Sequence, residues 1–299
     1  MSYFKMIKTE NTDSQYEFWS QYRNQLTTYI KKGLEENCRK NSWVAIWGAG
    51  GCNDIDICEL SKEYKLLLID QDIDKLRSLR EELGLSKEVC KVADVGFWTI
   101  TDEDYEMFEA LIMDGATIEE FQDYFADLIK NMPEPIKLNT YNVDCSVAVG
   151  LASQLNARFA ALLYFYKDKI KHIDINLMHE EINKLNQLAT ERLYISLRQL
   201  TKSLVITGYE LCSCYSNNEA EDKANQLIKC FEKGIYGGDF LSGMEQNFIE
   251  VAGNEYWHKL MYKAIIMDKL EELGMCQSII WPFTKEKYYP MLMLALACK

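Results

Sequence analysis

The chain reads as an α/β protein: a mostly parallel sheet with helices on both faces. Three observations predict it. Two short apolar runs, Trp43 to Trp47 and Leu66 to Ile69, flank a glycine-rich turn and a helix-length segment. The order strand, helix, strand, helix, strand then continues over 43–48, 53–62, 65–70, 72–84 and 88–93, with the short connections that join parallel strands. The 299 residues are 48% hydrophobic, enough for a substantial core.

Each element follows from its residues. Phe18, Tyr22, Leu26, Tyr29 and Leu34 recur at near-helical spacing, so residues 13–40 predict two helices or one bent helix ahead of the first strand. Asp72 caps the helix after the second apolar run, and Gly84 ends it. Residues 101–132 exceed one crossover helix. Thr101 with Asp102 and Asp104 caps a first helix there, Gly115 breaks it, and Thr117 with Glu120 makes a capping box for a second. Pro133 and Pro135 close that unit. A fourth strand is expected at 144–149, helices at 155–170 and 179–200, and a fifth strand at 203–209. Residues 213–260 depart from this rhythm, with a polar YSNNEAED stretch and glycines among aromatics. They predict a substrate lid or an oligomer contact, with Tyr236, Phe240, Tyr256 and Trp257 as candidate pocket residues. A helix-like run from Glu255 through Leu273 follows.

The turn itself, WVAIWGAGGCNDID over 43–56, points to a ligand. Gly48, Ala49 and Gly50 let the backbone turn sharply and come close to a bound group. Asp70 ends the next strand, where a carboxylate accepts two ribose hydroxyls. Gln71 follows it. The dinucleotide pattern G-x-G-x-x-G needs a third glycine where Asn53 stands, and Asp54 would repel a pyrophosphate at a helix N-terminus. S-adenosylmethionine (SAM) carries an ammonium and a sulfonium and no phosphate, which suits this acidic, polar turn. Cofactor contacts are therefore expected from Gly48, Ala49, Gly50, Asn53, Asp54, Asp70 and Gln71.

Here the chain resembles the class I SAM-dependent methyltransferases, over roughly residues 40–100, 138–210 and 260–299. The glycine turn, Asp70, the strand-end Asp94, the run DCSVAVGLASQL from Asp144, and the closing CQSIIWPFTKEKYYPMLMLALACK carry the resemblance. It implies a Rossmann-like seven-stranded sheet whose last strand runs antiparallel. It also implies Asp94 beside the adenine amine and Ala148 to Leu151 beside the methyl donor. One position departs from the family: Ile46 stands where many members carry an acidic residue two places before the first glycine. The domain layout expected is a helical cap at 1–41 and a methyltransferase-like domain at 42–299, with helical insertions near 101–132 and 213–260.

Methyl transfer from a sulfonium expels a neutral thioether, so the reaction needs a positioned nucleophile and a dry site, not a triad. No catalytic residue can be picked from the sequence. His258 stands out only for its neighbours Tyr256 and Trp257, and a satisfied histidine is the simpler reading. The net charge of −13 disfavours nucleic-acid backbones and anionic membrane surfaces, and leaves a small molecule or a peptide side chain as the acceptor. The ten cysteines include no C-x-x-C pair, and no metal is expected. With no secretory signal pattern, a cytoplasmic protein is expected. Two other functions compete: an NAD-dependent oxidoreductase, and a non-catalytic SAM-binding or assembly protein on the same fold.

Overall fold

Trp43–Trp47 (β1) is buried from Val44 onward, as a strand covered on both faces must be. It lies at the middle of the sheet because its flanks pair in parallel with Lys65–Ile69 (β2) and Val143–Val149 (β4). The computed structural model describes residues 13–96, 98–135, 141–155, 157–232, 254–267 and 269–299. Cys90–Ala93 (β3) extends the parallel set on one side, and Thr201–Glu210 (β5) on the other. Lys287–Cys298 (β8) then runs antiparallel to β5.

The sheet order is β3-β2-β1-β4-β5-β8-β6, with Gln277–Thr284 (β7) also paired to β8. The described strands number eight, but they fill seven positions. Leu270–Glu272 (β6) takes the far end of β8, and β7 takes the near end. Gly274, at φ +69°, breaks the edge between them. The Tyr29 hydroxyl donates to the Met275 carbonyl at 2.7 Å and holds the detour against the molecule. So the expected parallel sheet with an antiparallel last strand is present, and its edge strand is split.

The helices follow their local signals. Asp13–Phe18 (α1) and Ser20–Asn37 (α2) meet at Trp19. Asp56 caps the short Ile57–Ser61 (α3) by accepting the Glu59 N–H at 2.9 Å. Asp72 caps Ile73–Glu82 (α4) through the Lys75 N–H at 3.0 Å. The expected Thr101 cap opens Asp102–Asp114 (α5) as a capping box, with Asp104 as its partner, and the expected capping box opens Ile118–Asn131 (α6). Ala157–Phe165 (α7), Ile175–Leu200 (α8), Asn217–Glu232 (α9) and Asn254–Ile266 (α10) complete the set. The helix-like run expected to reach Leu273 therefore stops at Ile266, and β6 follows.

Three apolar bodies result. One lies between the sheet and α2, α3 and α4, and includes Trp19, Tyr22 and Trp281. The second covers the opposite face under α8 and α10. The third is an aromatic cluster among α5, α6, α7 and α8, built on Phe108, Phe121, Phe125 and Phe159. The 101–132 insertion thus has a core of its own, packed beside the sheet's carboxyl edge.

Candidate functional site

The turn after β1 is bound tightly to the end of β2. Gly48 donates its N–H to the Ile69 carbonyl at 2.9 Å, and Gly50 donates to Asp70 Oδ2 at 2.9 Å. Asp72 donates to Asp70 Oδ1 at 3.1 Å. Gly48 and Gly50 have φ of +67° and +49°, which side chains rarely adopt. A Cβ on Gly48 would stand 2.6 Å from Leu151 Cδ1, so the loop after β4 closes directly over the turn.

Two hollows of about 190 Å³ each meet here. Gly48, Leu151 and Gln154 line both, which makes one trough along the carboxyl ends of the parallel strands. The first half holds Asp70 and Gln71, with Val95, Trp98 and Leu155 as apolar walls and Arg158 at the side. The second half holds Ala49, Gly50, Asn53 and Asp54, with Trp19, Tyr22 and Trp281 opposite. The insertion supplies Tyr105 to the first half, and the N-terminal helices and the closing hairpin enclose the second.

Asp54 faces this second half. Burial pushes its carboxyl pKa up to about 6, partly offset by the Arg23 guanidinium. Arg23 is itself buried, stacks on Tyr16 and donates to the Asn53 carbonyl at 2.9 Å, pinning the turn. Burial raises the Tyr22 phenol pKa well above its usual value, reinforced by the nearby carboxylates of Asp54 and Glu210. Glu210 is buried at the end of β5 and accepts the Ser153 hydroxyl at 2.9 Å.

Among the expected site residues, Gly48, Ala49, Gly50, Asn53, Asp54, Asp70 and Gln71 line the trough. Asp94 lies just outside it: it is exposed and accepts the Gly96 N–H at 2.8 Å, while Val95 faces in. Ala148 is buried beneath, its carbonyl accepting the Thr207 hydroxyl at 3.0 Å, and Val149 to Leu151 form the wall instead. Sequence reasoning missed Gln154 and Arg158, which line the site, and Arg23 and Glu210, which stand behind its walls; all four get there only through tertiary packing. The two candidate lid residues that are described, Tyr256 and Trp257, do not line the trough. Trp257 is buried on the far face, and the Tyr256 hydroxyl donates to Glu191 at 3.1 Å. Tyr236 and Phe240 lie outside the described residues. Among the described residues of 213–260, α9 lies beside the second half of the trough. With Phe18, Tyr22 and β7 it borders a cleft of about 650 Å³, which meets the trough at Tyr22.

The site fits a cofactor with a ribose and no phosphate. Asp70 spends one acceptor position on Gly50 and one on Asp72. A carboxylate has about four, so two remain for a vicinal diol. A pyrophosphate has no comparable seat, because the Asp56 side chain already occupies the N-terminus of α3. Among the described residues no cluster of histidine, cysteine or carboxylate side chains could hold a metal ion. No helix described is long and apolar enough to cross a membrane.

No family model matches the chain, and no curated protein matches it in sequence. Solved structures match its fold. The N-methyltransferase NodS of Bradyrhizobium japonicum WM9 is 12% identical, with 96% of this chain and 99% of that chain covered and a TM-score of 0.39. A SAM-dependent methyltransferase from Aquifex aeolicus is 10% identical over 95% and 98%, with a TM-score of 0.39. Another, from Methanosarcina mazei, is 8% identical over 89% and 96%, with a TM-score of 0.38. The strand order, the antiparallel β8 and the glycine turn joined to Asp70 define the fold on their own terms. It is the class I SAM-dependent methyltransferase fold.

Proposed function

We propose that the protein is a SAM-dependent methyltransferase acting on a small molecule or a peptide side chain. The observation that carries this reading is the trough centred on Gly48, with Asp70 in one half and Asp54 in the other. Asp70 would hold the ribose, Val95 and Leu155 would flank the base, and Asn53 and Asp54 would receive the amino-acid end. The bound cofactor would supply an electrophilic methyl group.

The chain's own residues do the rest. Trp19, Tyr22 and Trp281 exclude water from the methyl side at little conformational cost. Tyr22 joins the trough to the outer cleft, through which an acceptor reaches the buried end. Glu210, buried behind Gly150 and outside the lining itself, would fix the Gly150–Ser153 wall of the trough through its bond to the Ser153 hydroxyl. Titration calorimetry with S-adenosylhomocysteine, the demethylated product, and with NAD tests the reading. Binding of the former and none of the latter is expected. NAD binding without S-adenosylhomocysteine binding would overturn it.

A further inference from the structure

The methyl side of the trough contains two hydrogen-bond donors that have no acceptor among the described residues. Trp19 and Trp281 both line it, and they are only 8% and 6% exposed. Among the described residues, neither buried indole nitrogen has a hydrogen-bond partner. Leaving a buried donor unpaired costs about 1–3 kcal/mol, and native interiors hold few such groups. Two in one hollow call for a shared cause.

The rings' own contacts do not supply it. They meet edge to face, with centroids 5.3 Å apart and planes at 71°. Such a pair lets one N–H face the other ring, so at most one donor is partly satisfied that way. Both rings are also fixed in place. Trp19 sits at the junction of α1 and α2, and Trp281 lies in register with Tyr289 and stacks on Tyr22 at 6.0 Å. Lys75 lines the same hollow and Arg23 lies behind the turn, positive charge that offsets the Asp54 carboxyl on that hollow. Indole N–H groups donate only. Their natural partner is therefore an acceptor oxygen, and the cations favour a charged one.

We propose that the indole N–H groups of Trp19 and Trp281 form a two-donor subsite for a carboxylate at the methyl side of the trough. This rests on the reading of the trough as a cofactor site. The carboxylate has two possible sources: the amino-acid end of the cofactor, or the acceptor. One subsite joins the N-terminal helices to the closing hairpin, so its occupation would tie the two ends of the chain together.

The test follows the indole N–H resonances of the intact protein by NMR, assigned with W19F and W281F. Calorimetry records binding in parallel. S-adenosylhomocysteine carries the carboxylate, and methylthioadenosine lacks it. If the former moves both resonances downfield and the latter moves neither, the subsite holds the cofactor's carboxylate. W281F should then shrink the preference for S-adenosylhomocysteine over methylthioadenosine about tenfold. If both nucleosides bind and leave the resonances in place, but acetate added to the methylthioadenosine complex moves them, the source is the acceptor. Movement by methylthioadenosine alone would overturn the proposal. So would S-adenosylhomocysteine binding in which neither it nor acetate moves the resonances, and the cofactor reading would then stand. If neither nucleoside binds, the cofactor reading fails, and acetate on the free protein decides the indole subsite by itself.

Discussion

Tyr209 and Glu210 are consecutive residues of β5, and their side chains enter opposite halves of the molecule. Glu210 turns toward Tyr22, Gly150 and the trough. Tyr209 turns into the core under α8 and α10, where its hydroxyl meets His258 Nδ1. Beside it the Trp257 indole donates to Thr207 Oγ1 at 2.9 Å. His258 is 5% exposed and lines none of the hollows described above. Both groups stand near the carboxyl edge of the sheet, where chemistry occurs in such folds. Both are buried, with Glu210 only 2% exposed. Their surroundings separate them: Glu210 stands behind Gly150, which lines the trough, while His258 is enclosed by apolar side chains on the far face. Position near the carboxyl edge of the sheet therefore does not by itself mark a side chain for chemistry; what it packs against has to be read as well.

The comparison breaks first at Asp70. Asp70→Ala removes the ribose acceptor and the partner of the Gly50 N–H together. Charge-assisted bonds are worth about 1.5–3 kcal/mol each, so S-adenosylhomocysteine should bind at least ~10-fold more weakly by calorimetry, and loss of the Gly50 and Asp72 partners should lower the melting temperature by a few degrees. Unchanged affinity would mean that the ribose site lies elsewhere. The far side should respond in the opposite manner. Tyr209→Phe leaves the buried His258 Nδ1 without its phenol, at a cost of about 1–3 kcal/mol. Urea unfolding should show that loss while cofactor affinity holds. A drop in affinity with no loss of stability would place His258 in the working site after all. Thr207→Val removes the acceptor of the Trp257 indole and should cost about 1 kcal/mol in the same assay.

The trough was legible in sequence wherever local chemistry fixes it. Gly48 and Gly50 must adopt positive φ, and Asp70 follows a run of apolar residues that is buried throughout. The helix caps at Thr101 and Thr117 were equally plain, because a cap lies within four residues of its partner. The opposing wall was not legible. Trp19 and Trp281 are separated by most of the chain, and nothing in either neighbourhood signals that the rings meet. The split edge strand escaped for another reason: β6 has three residues, too few to show a period. Within 213–260, aromatics suit a lid and a buried helix equally; Trp257 took the second course, while Tyr236 and Phe240 lie outside the described residues.

The smallest expected effect sets the two regions against each other through pH. Burial, reinforced by Lys259, lowers the His258 pKa from 6.5 to about 4. Between those values the unfolded chain takes up a proton that the folded chain refuses, so this group's stabilisation is complete above pH 6.5 and is lost as the pH falls toward 4. Asp54 has the reverse sign. Its pKa rises from 3.8 to about 6, so the folded chain keeps a proton that the unfolded chain has released. That stabilisation is complete below pH 3.8 and is lost as the pH rises through about 6. Across roughly pH 4 to 6 the two oppose each other and flatten the parent's profile. Asp54→Asn should therefore make urea stability climb more steeply with pH than in the parent. His258→Phe should make it climb less steeply. The two differences should mirror each other, and an Asp54→Asn profile parallel to the parent's would show that the carboxyl on the trough side titrates as if it stood in open water.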